Sequence, residues 1–208
     1  MRAWWRLCAP AAALVLLASL AAAAAEWEKV SDKDGVLVER RSVAGSPYAE
    51  VRATARSELP PSAIFETVWN HREYTQFVPH LRRLDILSDT GDERVTYEQV
   101  SVPLVSDRDY AVRLHKRVDA AAQRYEIDFA TANDLAPPSD GRHERVRSIR
   151  GSWLIEPGPG GAGSVVRYNV VSDPGGSIPA WIANRAQRDT VAELVRAMLK
   201  RAQEKSGR

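Results

Sequence analysis

Cysteine is almost absent: Cys8 is the only one in 208 residues. This excludes a disulfide framework and any site built on several thiolates. Histidine is scarce too. His71, His80, His115 and His143 are scattered, without metal-ligand spacing, so no metal is expected. No G-x-S-x-G or H-E-x-x-H occurs, and no catalytic residue can be assigned on such grounds. An excess of one charge is also missing, with 29 Lys and Arg against 27 Asp and Glu. Nucleic acid binding draws on a net basic surface, so a nucleic acid partner is not expected. No internal repeat is visible.

What is present begins with an export-like segment. Met1 to Arg6 carries two arginines, Leu7 to Ala25 is uncharged, and the stretch closes on Ala23-Ala24-Ala25. A basic start, an apolar middle and a small-residue end read as a signal peptide over residues 1–25, cleaved after Ala25. The alternative is an uncleaved membrane anchor; Pro10 and the preponderance of alanine favour cleavage. A periplasmic or secreted product of one domain, residues 26–208, is then expected. Loss of Arg2, Arg6 and Cys8 leaves 27 bases against 27 acids and no cysteine. Such a chain depends on its core alone, and its length allows one.

Trp27 to Leu59 reads as a hairpin and a third antiparallel strand, with Asp32-Lys-Asp-Gly35 as the turn. Pro60-Pro61 ends the sheet and opens a helix whose face is Ile64, Phe65, Val68 and Trp69. Tyr74 to Pro79 closes it, and His71-Arg-Glu73 near its end reads as a charged, solvated face. About six more strands follow between Leu81 and Val171. The clearest is Arg124 to Phe129, where Tyr125, Ile127 and Phe129 alternate with charged residues. Pro157 to Gly163 reads as a hairpin connection rather than a phosphate loop, since no Lys-Ser/Thr follows. Ser177 is a candidate N-cap for a helix reaching about Glu204. Its apolar stripe includes Ile178, Trp181, Ile182, Ala186, Val191, Leu194, Val195, Met198 and Leu199. The class is α+β. The space between helix and sheet could be a filled core or a cavity.

Two segments carry a resemblance. Val105-Ser-Asp-Arg108-Asp109-Tyr110-Ala-Val and Asp173-Pro-Gly-Gly176-Ser-Ile178-Pro179-Ala-Trp181-Ile-Ala-Asn184 resemble the START (StAR-related lipid-transfer) family of the helix-grip, Bet v 1-like superfamily. Gly151 to Pro157 is similar to the strand before the family's last hairpin. The likeness runs from about Trp27 to Ala202. It implies a helix-grip fold: a strongly curved antiparallel sheet wrapped around a long C-terminal helix, enclosing an apolar tunnel. It also implies binding of one lipid or other apolar small molecule without a cofactor, transient membrane contact and, as the expected state, a monomer. Val102-Pro-Leu-Val105 matches the family's entrance loop.

Within that frame, Tyr110, Val112 and Leu114 share the presumed inward face of one strand. Val95, Tyr97 and Gln99 are expected on its partner, Tyr97 and Gln99 bonding a ligand head group or, alternatively, each other. Phe129, Trp153 and Tyr168 are wall or core. Ile182, Ala186, Thr190 and Leu194 come from the helix, and Leu104 and Trp181 are gate residues, with Trp181 alternatively a membrane-docking tip. Arg108 and Asp109 read as structural ion-pairing or capping residues. Sterol-binding relatives carry an acid and an arginine in the tunnel; the positions matched here, Val95 and Leu114, are apolar, so sterol specificity is not implied. The expected function is an exported lipid-binding or lipid-transfer protein, not an enzyme. A cyclase or aromatase-type enzyme on the same fold, and a ligand-sensing interaction module, remain the alternatives.

Overall fold

The computed structural model describes residues 25–101 and 106–207. The expected signal peptide, except Ala25, and the stretch holding Leu104 therefore lie outside the described residues.

The first three strands are β1 (Glu28–Lys33), β2 (Val36–Arg41) and β3 (Glu50–Ser57). Asp34 and Gly35, both at positive φ, make the tight turn between β1 and β2. α1 (Pro61–Trp69) starts with proline in its first turn and Pro60 as N-cap, and buries Ile64 and Val68. A 3-10 turn (His71–Glu73) and α2 (Tyr74–Phe77) follow. Then come β4 (Leu81–Asp89), β5 (Glu93–Val100), β6 (Arg108–Asp119), β7 (Arg124–Thr131), the two-residue β8 (Glu144–Arg145), β9 (Ser148–Pro157) and β10 (Ser164–Asp173). The Gly-rich stretch between β9 and β10 is a hairpin connection, as expected. α3 (Ala180–Ser206) ends the chain.

The strands form one sheet in the order β1-β2-β3-β10-β9-β7-β6-β5-β4, antiparallel throughout except that β8 pairs in parallel with β6. α3 lies along β2 and β3 and touches α1. Its buried face is Ala183, Val191, Ala192, Val195, Met198 and Ala202, and the small Ala53 and Ala55 of β3 let it approach closely. This is the curved sheet gripping a C-terminal helix that the sequence led us to expect. One glycine serves the curvature: a Cβ at Gly151 on β9 would lie 2.1 Å from the Asn169 carbonyl oxygen and 2.5 Å from the Phe129 ring.

The start of α3 differs from expectation. Pro179, not Ser177, is the N-cap, its carbonyl accepting from the amides of Ile182 and Ala183. The turn Pro174–Gly176, with both glycines at positive φ, sets the entry angle instead. Trp181 leaves the apolar stripe and stands 67% exposed.

α3 is tied at both ends. Asn184 accepts from the Ala49 amide (3.0 Å) and donates to the Pro47 carbonyl (3.1 Å). Gln187 donates to the carbonyls of Ala49 and Val170 and accepts from the Ser172 hydroxyl. Near the C-terminus, Arg201 pairs with Glu73 at 2.9 Å.

Candidate functional site

Between the inner face of the sheet and α3 lies a pocket of about 250 Å³. β6 contributes Tyr110, Val112 and Leu114, while Phe129, Trp153 and Tyr168 come from β7, β9 and β10. Ala186, Thr190 and Leu194 face it from α3. These nine positions, singled out from the sequence, are brought together. Tyr168 stacks on Phe129 (ring centroids 5.8 Å) and packs against Trp153 (4.4 Å).

The other positions fall elsewhere. Val95, Tyr97 and Gln99 occupy the opposite face of β5. Cross-strand pairs share a face, and the residues opposite Tyr110, Val112 and Leu114 are Glu98, Thr96 and Arg94. The inward set on β5 is thus one residue out of step with the expected one, and a one-residue step exchanges the two faces. Tyr97 and Gln99 pair with each other, Gln99 Nε2 donating to the Tyr97 hydroxyl at 3.1 Å, and that hydroxyl donates to Asp109 at 2.8 Å. Asp109 is 1% exposed and takes two bonds from Arg145 (2.7 and 2.9 Å), a structural ion pair. Ile182 and Trp181 lie off the pocket, whereas Ile178 and Ala183 line it.

Across the strands, Leu114 pairs with Arg94. Arg94 is already committed to Asp89 (2.8 Å), the Trp69 carbonyl and His71.

His71 is not on a solvated face but 4% exposed, lining the pocket and stacked on Tyr74 at 4.5 Å. Arg94 Nη1 lies 2.8 Å from its Nδ1. Nδ1 also lies 3.1 Å from the Trp69 carbonyl oxygen, which can only accept, whereas arginine can only donate; the shorter Arg94 contact favours an accepting Nδ1 with the proton on Nε2. Burial first, and then the Arg94 charge, hold His71 down to about pKa 4.

The principal group missed in the sequence is Glu98. Its Oε1 accepts from the Thr96 hydroxyl (2.9 Å) and its Oε2 from the Tyr110 hydroxyl (2.8 Å). Burial pushes its pKa up, against the two hydroxyl donors that pull it down. Among the described residues no cation lies within 4 Å of it. Its charge raises the pKa of the Tyr74, Tyr110 and Tyr168 hydroxyls, in each case after burial, so the three phenols gather around it. Tyr168 has no hydrogen-bond partner among the described residues.

Arg108 also lines the pocket while being 4% exposed. It donates to the carbonyls of Ser106 and Pro174, and no carboxylate lies within 4 Å among the described residues. No group of three or more potential metal ligands occurs among those residues.

Residues 57–199 match the family described as polyketide cyclase / dehydrase and lipid transport. An uncharacterised protein of Pseudomonas aeruginosa is 29% identical over 164 residues, 78% of this chain and 80% of that one. The phosphatidylcholine transfer protein of Homo sapiens is 26% identical over 208 residues, 96% of this chain and 92% of its own. The solved STAR-related lipid transfer protein of Xanthomonas axonopodis superposes with a TM-score of 0.77 at 25% identity, over 85% of this chain and 98% of that one. With its helix-grip fold, the chain belongs to the polyketide cyclase / dehydrase and lipid transport family, in the START lipid-transfer group.

Proposed function

We propose that this protein holds one lipid in the pocket beneath α3 and carries it across an aqueous compartment between membranes, without turnover. The observation carrying this reading is the apolar pocket itself, walled by Val112, Leu114, Phe129, Trp153 and Leu194 and roofed by a helix tied at both ends. Each buried CH₂ is worth about 0.8 kcal/mol, so exposing a chain of about 16 carbons to water costs roughly 13 kcal/mol. A carrier that shields the chain removes most of that barrier. The export-like segment at residues 1–25 supports a periplasmic or secreted location. The exposed Trp181 at the start of α3 suits brief contact with a membrane interface. At about 250 Å³ the pocket is small beside the roughly 300–1,000 Å³ usual for ligand sites. Admitting a lipid therefore requires the pocket to enlarge.

Native mass spectrometry of the purified protein, followed by solvent extraction, tests the proposal. One lipid per chain, and exchange of that lipid between vesicles, are expected. A protein that carries none and takes none from vesicles would overturn it.

A second reading has one observation behind it. Glu98, with its raised pKa and its bond to Tyr110, is equipped to move a proton inside the pocket, as a cyclase would require. Turnover of a polyketide-type substrate that disappears in Glu98→Gln would favour it.

A further inference from the structure

The two sides of α3 are held unequally. On one side it rests on β2, β3 and α1, and the side chains of Asn184 and Gln187 fasten it to the backbone of Pro47, Ala49 and Val170. On the other side the sheet ends at the edge strand β4. The connection from α2 into that strand is Val78-Pro79-His80, and it lines the pocket together with Thr190 and Leu194 of the helix. Among the described residues a single side-chain hydrogen bond joins this connection to α3: His80 Nε2 donates to Glu193 Oε2 at 2.7 Å. The Glu193 side chain is 42% exposed, and a contact so solvated is weak. His80 also sits at φ 65°, a left-handed conformation that costs a residue with a Cβ. Backbone hydrogen bonds pin the connection at its ends, the Val78 amide donating to Tyr74 and the His80 carbonyl accepting from Ser101. Pro79 between them has no amide to give.

We infer that Val78-Pro79-His80 is a strap closing the pocket against α3, with His80 and Glu193 as its clasp, and that cargo passes through the seam it covers. This rests on the carrier reading and adds the route by which that site is filled. The pocket must enlarge to hold a lipid, and the two sides of the seam differ in what they can give. Moving α3 breaks the bonds of Asn184 and Gln187 at its start and of Arg201 to Glu73 near its end. It also uncovers Val191, Val195 and Met198, all buried. Moving the strap breaks one weak contact, releases a left-handed residue and opens the pocket beside Leu194. Both ends of the strap are anchored, as hinges require. The buried Tyr74 donates its hydroxyl to the Val68 carbonyl on one side, and β4 pairs with β5 on the other. The resemblance implies a different entrance, at residues 102–105, so the two routes can be told apart.

The test uses the full chain with Cys8→Ser, which removes its only cysteine, and adds His80→Cys and Glu193→Cys. A short, reducible bis-maleimide then ties the strap to α3. The readout is transfer of a pyrenyl-acyl phosphatidylcholine and of a pyrenyl fatty acid between phosphatidylcholine vesicles. Cross-linking should slow transfer about tenfold, and reduction should restore it. The same cross-link between Glu73→Cys and Arg201→Cys, which only renews a tie α3 already has, should leave the rate unchanged. If the strap cross-link has no effect, cargo passes elsewhere, and the strap is overturned while the carrier stands. Equal slowing by both cross-links means that α3 itself must move, and overturns the strap as well. Should the paired variants not fold, His80→Asn decides, because asparagine tolerates the left-handed backbone but is too short for the clasp. Transfer roughly threefold faster than wild type supports the strap, and an equal or slower rate overturns it. If the reduced protein and wild type move neither probe, the carrier reading falls and the strap with it.

Discussion

The two faces of the sheet treat charge in opposite ways. Across the outer face of β10, β9, β7 and β6, Arg167, Glu156, Arg124, Glu126, Arg117 and Asp128 form an unbroken chain of alternating ion pairs. Every member has a neighbour of opposite sign, and most of them are well solvated. On the inner face, charges are few, and either fully committed, as with Arg94, or, among the described residues, without an opposite charge within 4 Å, as with Glu98 and Arg108. Many paired charges in water contribute little each, whereas a few lone charges in a pocket dominate what it can bind. Energetic importance therefore follows burial, not the number of ion pairs.

The largest effect should come from closing the inner face sterically. Gly151→Ala places a methyl group into the Asn169 carbonyl and the Phe129 ring. A loss of about 3–4 kcal/mol in urea unfolding is expected. A loss below 1 kcal/mol would mean that the bend at β9 is relaxed rather than tight.

Next comes the acid response of His71. Its folded pKa, about 4, lies below the ordinary value of 6.5, so the unfolded chain binds the proton first. The contribution of neutral His71 is complete above pH 6.5 and is lost as pH falls towards 4. It amounts to about 3 kcal/mol from a shift of that size. Stability curves of wild type and His71→Phe should diverge across that window; parallel curves would contradict the assignment.

Glu98 has the opposite sign. Its raised pKa means the folded state holds the proton more tightly than the unfolded one. Stability should fall as pH rises from about 4.3, the ordinary value for glutamate, through the raised folded value. Glu98→Gln should therefore stabilise the unliganded protein at pH 7.5, and much less at pH 4. Calorimetric melting at the two pH values measures this.

The smallest effect belongs to the outer face. Arg124→Ala should change stability by less than about 1 kcal/mol, with the loss shrinking further in salt. A loss above 2 kcal/mol would make the outer chain of charges a structural girder and erase the contrast between the faces.

Much of the architecture was legible in the sequence. Alternation along Arg124–Phe129 and the apolar stripe of α3 fixed strand and helix, and the Arg108-Asp109 and Pro174–Gly176 segments pointed to the family. The inner set of β6 was legible as well. That of β5 was not, for a physical reason. Val95 and Tyr97, on the outer side, are as buried as the inner residues, and Tyr97 is held there by Asp109 and Arg145. A strand buried on both faces loses the alternation that tells inside from outside. Glu98 was passed over and His71 was read as solvated because charged or polar side chains are taken as solvated by default. The signal that could have found Glu98 was its register with Tyr110, and register is a property of the pair of strands rather than of either alone.

The order of the strands has a consequence for how the molecule is made. β3 pairs with β10, Val51 meeting Val170, so the first hairpin is joined to the rest of the sheet only through a strand near the end of the chain. Closing so long a loop is entropically expensive and slow. During synthesis, β1, β2 and β3 wait without their final neighbour until nearly everything else has emerged, and α3, which must lie over them, comes later still. The sheet thus cannot be completed until β10 is available to join β3 to the rest.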